Sequence, residues 1–238
     1  MANFPFQRLQ ADLAKLIANT PAGSRLTSEP DLAKQMGVSR ATLREAMRTF
    51  ETQGLIRRRQ GSGTYVVGKF EVIDAGLEVL ESIETMARRM NLQVSVSDLQ
   101  VEQVTADAKT ADSLCVEEGA RITRVRRVIR ADGRPVAYLI DSLPEEILQP
   151  DTLTAEFRGS VLDFLIGTGC DLQISRAAIS ATNASAEVAK PLEIQRDDVL
   201  LRFESQLYDS KGKVLDYSVS YFIPGYFHFH VNRRVGSN

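Results

Sequence analysis

Apolar residues recur at helical spacing three times near the start of the chain, and alternate as in strands through much of the remainder. Phe6, Leu9, Leu13, Leu16 and Ile17 define a first amphipathic helix, which Thr20, Pro21 and Gly23 end. Ser28, with Asp31 three positions on, opens a second helix in a capping-box pattern. Leu32, Ala33 and Met36 supply its apolar side, and Gly37 stops it. Ser39 caps a third helix, whose buried stripe is Leu43, Ala46, Met47 and Phe50 and whose end is Gly54. Residues 55–59 and 64–67 then flank Gln60-Gly61-Ser62-Gly63, a hairpin signal with glycine at the bend. Three helices and a hairpin, with only Gly37-Val38-Ser39 between the last two helices, make a helix-turn-helix followed by a wing.

Beyond residue 76 the pattern changes. Leu77, Leu80, Ile83 and Ala87 predict a helix ending near Asn91. Hairpins follow at 122–140, turning at Ala131-Asp132-Gly133-Arg134, and at 199–222, turning at Asp209-Ser210-Lys211-Gly212. Val161 to Ile166 reads as the core of a helix closed by Gly167 and Gly169. A shift of 78 positions lays Ala106, Ala111, Leu114, Ile122 and Arg124 on Ala184, Ala189, Leu192, Leu200 and Arg202. This predicts an internal duplication: two related halves, facing each other across a cleft that could hold a small molecule. The expected layout is a head at 1–68, a linker at 69–76 and a second domain at 77–238.

Charge is divided between these parts. Residues 1–68 carry ten Lys and Arg against five Asp and Glu, and the remainder nineteen against twenty-six. A basic head on an acidic body fits a nucleic-acid reader joined to something else. The chain has no run of about 18 apolar residues, so no membrane-spanning helix is expected. An N-terminus of mixed charge does not read as a signal peptide. Cys115 and Cys170 form no paired motif and read as buried small side chains in a reducing, cytoplasmic compartment.

The chemistry of the head lies in its arginines. Arg40, Arg44 and Arg48 fall on one face of the third helix, with Arg40, Thr42 and Arg44 in its first turns. That end of a recognition helix reaches base edges, and the arginine fork can hold guanine O6 and N7 together. Ser28, Ser39 and Thr42 can hold phosphate, and Arg58, Gln60 and Gly61 of the wing can approach the duplex. His228 and His230 share a strand face, but two histidines do not make a metal site, and they read as surface residues. No catalytic group, cofactor or metal is expected.

Residues 5–68 resemble the winged helix-turn-helix of the GntR family of bacterial regulators. The residues carrying the resemblance are Leu26-Thr27-Ser28-Glu29-Pro30-Asp31-Leu32-Ala33, the stretch from Gly37 to Ala46, Gly54-Leu55-Ile56, and the stretch from Gln60 to Val66. The resemblance implies DNA contacts from Ser39, Arg40, Thr42, Arg44 and Gly61. Pro30 stands where many members carry an arginine. Residues 77–235 resemble the UTRA effector-binding domain of the HutC subfamily, through Arg127 to Val136, Ser160 to Gly169, Ala184 to Leu192 and Tyr221 to Phe229. The fold class implied is α+β: an N-terminal winged helix-turn-helix and a C-terminal chorismate-lyase-like domain on an antiparallel sheet.

The UTRA resemblance places effector contacts at Ser82, Arg127, Leu139, Ser160, Ile223 and Phe227. Relatives that sense sugar phosphates have polar groups where this chain has Ile129, Leu139, Ile223, Gly225 and Phe227. A phosphate would be poorly compensated there, so the expected effector is weakly polar, or mono-anionic with its charge on Arg127. The whole reads as a homodimeric, ligand-responsive repressor on an inverted-repeat operator in double-stranded DNA. The rival readings are an enzyme fused to a DNA-binding head and a constitutive DNA-binding dimer without effector.

Overall fold

The structure, a computed structural model, describes the chain apart from residues 1–3, 53, 60–61, 68–71, 154–156, 158 and 234–238. It divides into two compact units, one running to Val72 with Pro224–Tyr226, the other comprising Ile73–Ile223 and Phe227 onward.

In the first unit, α1 (Phe4–Asn19), α2 (Glu29–Gln35) and α3 (Arg40–Thr52) precede the hairpin β1 (Ile56–Arg59) and β2 (Gly63–Val66). The stripes read from the sequence form its core. Leu9, Leu13 and Ile17 of α1 meet Leu32 and Ala33 of α2 and Leu43, Met47 and Phe50 of α3, with Ile56 and Val66 closing the cluster from the hairpin. Ser28 caps α2 by accepting from the Asp31 amide. Pro30 occupies the first turn, where its missing N–H would have no partner in any case. The hairpin gains a third strand-like segment: Leu26 N–H donates to Thr64 O, Val66 N–H to Ser24 O and Gly23 N–H to Val66 O, each at 2.8 Å.

The second unit contains β3 (Ile73–Gly76), α4 (Ile83–Arg89), β4 (Val94–Thr105), α5 (Ala108–Leu114), β5 (Arg121–Ala131), β6 (Arg134–Pro144), α6 (Val161–Gly167), β7 (Ile174–Asn183), α7 (Ala186–Ala189), β8 (Val199–Tyr208), β9 (Val214–Phe222) and β10 (Phe227–His230). Two expectations are corrected here. Residues 73–76, read as linker, pair in parallel with β10; four residues are too few to display alternation. The helix predicted from Leu77 starts only at Ile83, because Ser82 caps it by accepting from the Thr85 amide. Leu77 and Leu80 lie outside it and are exposed.

The duplication is present in the backbone. The unit β4-α5-β5-β6 recurs as β7-α7-β8-β9. The N–H of Ala106 donates to Ala120 O and that of Ala184 to Asp198 O; Gly119 donates to Ala106 O and Asp197 to Ala184 O. Cys115 and Glu193, 78 positions apart, both take left-handed backbone, with φ of 55° and 54°. The halves do not face each other. They join edge to edge through β6 and β9 into one antiparallel sheet of order β4-β5-β6-β9-β8-β7. Helix α5 packs on one face, Ala111 and Leu114 against Ile122 and Tyr217. Helix α6 packs on the other, Val161 and Leu165 against Val125, Leu143 and Leu207. Cys115 is exposed at the end of α5, contrary to the expected burial.

Leu165 is fully buried beneath α6. Leu165→Ala is expected to cost about 2–5 kcal/mol in urea unfolding monitored by circular dichroism, through lost transfer energy and the void left behind. A loss well below that range would show that α6 does not anchor this face.

Candidate functional site

The head presents two groups of side chains. On α3, Ser39 caps the helix by accepting from the Thr42 amide at 3.1 Å, and the two hydroxyls are 2.8 Å apart. Arg40, Thr42 and Arg44 are exposed. Arg44 and Arg58 converge on one carboxylate from different elements. Arg44 Nε donates to Glu29 Oε2 at 2.6 Å, and Arg58 Nε lies 3.4 Å from Glu29 Oε1. Arg58 also lies 3.6 Å from Glu51 and donates to the Arg44 carbonyl. Glu29 therefore ties the start of α2 to α3 and to the wing. Sequence reading missed this residue, although it sits inside the matched Ser28-Glu29 pair. Ser28 is half-buried and engaged with Asp31. Gln60 and Gly61, expected as DNA contacts, lie outside the described residues. Gly63, at φ +116°, carries Arg25 so close that a Cβ would meet its Nε at 2.5 Å, which adds a basic residue to the wing that periodicity did not reveal.

In the second unit a cavity of about 740 Å³ lies over the sheet face that carries α6. Five of the six expected effector residues line it: Ser82, Arg127, Leu139, Ser160 and Phe227. Ile223 is buried but is not among the lining residues; at the end of β9 it is held in the sheet by donating its N–H to Val136 O. Antiparallel register brings the lining together. Arg127 stands opposite Leu139, Asp141 opposite Ser218, and Leu139 opposite Ser220, so all of them share one face.

The two serines act first as caps. Ser82 accepts from the Thr85 amide and donates to Asp163 Oδ2 at 2.7 Å, while Ser160 accepts from the Asp163 amide. Arg127, 5% exposed, is paired with Asp141 through Nη1, and its Nε has no hydrogen-bond partner. The guanidinium expected to hold an anionic effector is thus already matched by a carboxylate 14 positions along the chain, across the hairpin. Asp216, 7% exposed, lines the same cavity with Oδ1 buried and unpartnered. Burial, and then repulsion from Asp141, push its carboxyl well above the ordinary range. Glu84 of α4 also has an unpartnered Oε1, and burial raises its carboxyl too. Sequence reading missed Asp141, Asp216 and Glu84, because isolated acidic residues in strands and short helices carry no motif.

The other arginines of β5 lie as alternation requires. Arg126 is ion-paired with Glu102 at 3.0 Å on the face away from the cavity. His228 Nδ1 lies 2.8 Å and His230 Nδ1 3.2 Å from Asp74 Oδ1. Asp74 is an acidic neighbour that the sequence hid at a separation of 154 positions. The hydrogen bond from His228 holds its carboxyl below the ordinary range. These three offer one fewer ligand than a closed zinc site.

Residues 6–66 match the model of the bacterial regulatory proteins of the gntR family, and residues 89–228 match the UTRA domain. The probable transcriptional regulator PhnF of Escherichia coli (strain K12) is 29% identical over 220 residues, spanning 90% of this chain and 89% of that protein. The histidine utilization repressor of Klebsiella aerogenes is 29% identical over 183 residues, 74% of this chain and 72% of that protein. The crystal structure of PhnF from Mycobacterium smegmatis shares the fold, with a TM-score of 0.65 over 96% of this chain and 100% of that one, at 22% identity.

The raised carboxyl of Asp216 makes a pH prediction. The folded state keeps a proton that an unfolded aspartate, at about 3.8, has lost. Stability should therefore fall as pH rises from that value through the folded pKa. Asp216→Asn removes the titration, so the variant's melting temperature should exceed that of the parent increasingly toward alkaline pH. Parallel melting curves across the range would contradict the assignment.

Proposed function

This chain belongs to the UTRA-domain regulators of the gntR family, and on that premise we propose that it is a cytoplasmic repressor acting as a homodimer on an inverted-repeat operator. It is a transcriptional regulator with a DNA-binding head and an effector-binding domain. The observation that carries the finer reading is the presence in one chain of an exposed α3 start, bearing Arg40, Thr42 and Arg44, and of a cavity of about 740 Å³ in the second unit. Two copies would set α3 into successive major grooves, with half-sites about 10 bp apart or a little more. Arg40 and Arg44 would read base edges; Ser39, Thr42, Arg58 and the wing would hold phosphates.

The effector acts by favouring one arrangement of the heads over another, which requires only different affinity for the two. We place the effector-binding unit from Ile73, since β3 is paired within it. We read this unit as a binder and not an enzyme: the hydroxyls of Ser82 and Ser160 are engaged in capping two helices, which favours a structural role over a nucleophilic one.

Selection of operators from a random-sequence pool by the full chain tests this reading. Recovery of an inverted repeat is expected, and recovery of single unpaired half-sites would refute the dimeric assignment. On the selected operator, Arg44→Ala should cost about 1–3 kcal/mol and relax preference at one base position. A footprint and affinity unchanged by that substitution would refute the groove assignment.

A further inference from the structure

Strand β9 carries the lining of the cavity in a graded order. Asp216, Ser218, Ser220 and Phe222 alternate onto one face and all line the cavity. At about 3.3 Å per residue the strand spans about 20 Å from the first of these to the last. At one end stands Asp216, with Asp141 one pair along, opposite Ser218; Arg127, on β5 in the row of Leu139 and Ser220, reaches Asp141 through Nη1. At the other stand Phe222, Phe203 opposite Ser220, and Phe229, whose ring centroid is 4.6 Å from that of Phe203 and 5.0 Å from that of Phe222. Asp216 and the aromatic rings are therefore separated along a single strand.

With its buried carboxyls ionised, the polar end would carry more negative charge than positive, which is why burial holds a proton on Asp216 until a cation arrives. Arg127 is matched by Asp141. Asp216 and Glu84 remain, both with a buried oxygen lacking any hydrogen-bond partner, and both lining the cavity. An anion placed beside Arg127 would also face Asp141, Asp216 and Glu84. A buried anion without a partner of opposite charge is costly, and carboxylate neighbours increase that cost. A protonated amine would instead donate to the unpartnered Asp216 oxygen and offset the surplus.

Resting on the reading of this cavity as the effector site, we infer that the effector is an elongated organic cation, with an ammonium head at Asp216 and an apolar body reaching toward Phe203. The four residue steps from Asp216 to Ser220, the partner of Phe203, set a length of about 13 Å. The hydroxyls of Ser205, Ser218 and Ser220 line the middle of this path. Binding of the cation displaces the proton that burial keeps on Asp216, where Asp141 and Arg127 are the charged neighbours; Glu84 is likewise flanked by Arg127, Asp163 and Asp141. Affinity for the cation therefore rises with pH.

Isothermal titration of the full chain with 4-phenylbutylamine, 4-phenylbutyrate and 4-phenylbutanol tests this. The three share a body and differ in head charge. The amine should bind about tenfold tighter than either of the others, as expected for a charge-assisted hydrogen bond. Its advantage should grow between mildly acid and mildly alkaline pH. Asp216→Asn, checked for folding by circular dichroism, should abolish most of that advantage. Tighter binding of the carboxylate or the alcohol, or an advantage that survives Asp216→Asn, would overturn the cationic assignment and leave the cavity as the effector site. Failure of all three to bind would overturn the reading of the cavity as well.

Discussion

The pairing of β6 with β9 is the constraint on which the second unit depends. Each is the last strand of one half of a duplicated unit, and their antiparallel ladder fuses the halves into one six-stranded sheet. That register decides what shares a face. With Asp141 opposite Ser218 and Leu139 opposite Ser220, residues from both halves meet over one cavity. A slip of one residue would send Asp216 and its alternating companions to the opposite face, among the side chains that pack against α5. The site thus follows from backbone hydrogen bonding before any side chain contributes its chemistry.

The head was largely legible because its elements are long, periodic and capped. The stripes of α1 and α3 are the buried core, and Ser28 and Ser39 cap the helices they precede. What could not be read was convergence. Glu29 gathers Arg44 and Arg58 from elements separated by many residues, and Arg25 lies over Gly63. Periodicity reports which face a residue occupies within its own element, and says nothing about its partner in another.

In the second unit the hairpins, the helix at Val161–Gly167 and the duplication were visible, and five expected lining residues meet at one cavity. The edge-to-edge junction was not visible, since a repeat in sequence does not state how its copies pack. The short strand at Ile73–Gly76 was hidden because its partner, β10, lies at the far end of the chain. The partners of Arg127 were hidden for the same reason. As an isolated residue it read as an anion receptor, whereas the fold supplies Asp141 across the hairpin and Asp216 from the other half.

The repeat also gives the cavity a sense of direction. By the 78-residue shift the slot of Arg127 on β5 corresponds to that of Ser205 on β8, so a guanidinium in one copy answers to a hydroxyl in its twin. A scaffold with near-twofold internal symmetry thereby holds a lining with none. Any long guest must distinguish head from tail on entering, and the orientation it adopts is written into the divergence of two once-equivalent strands.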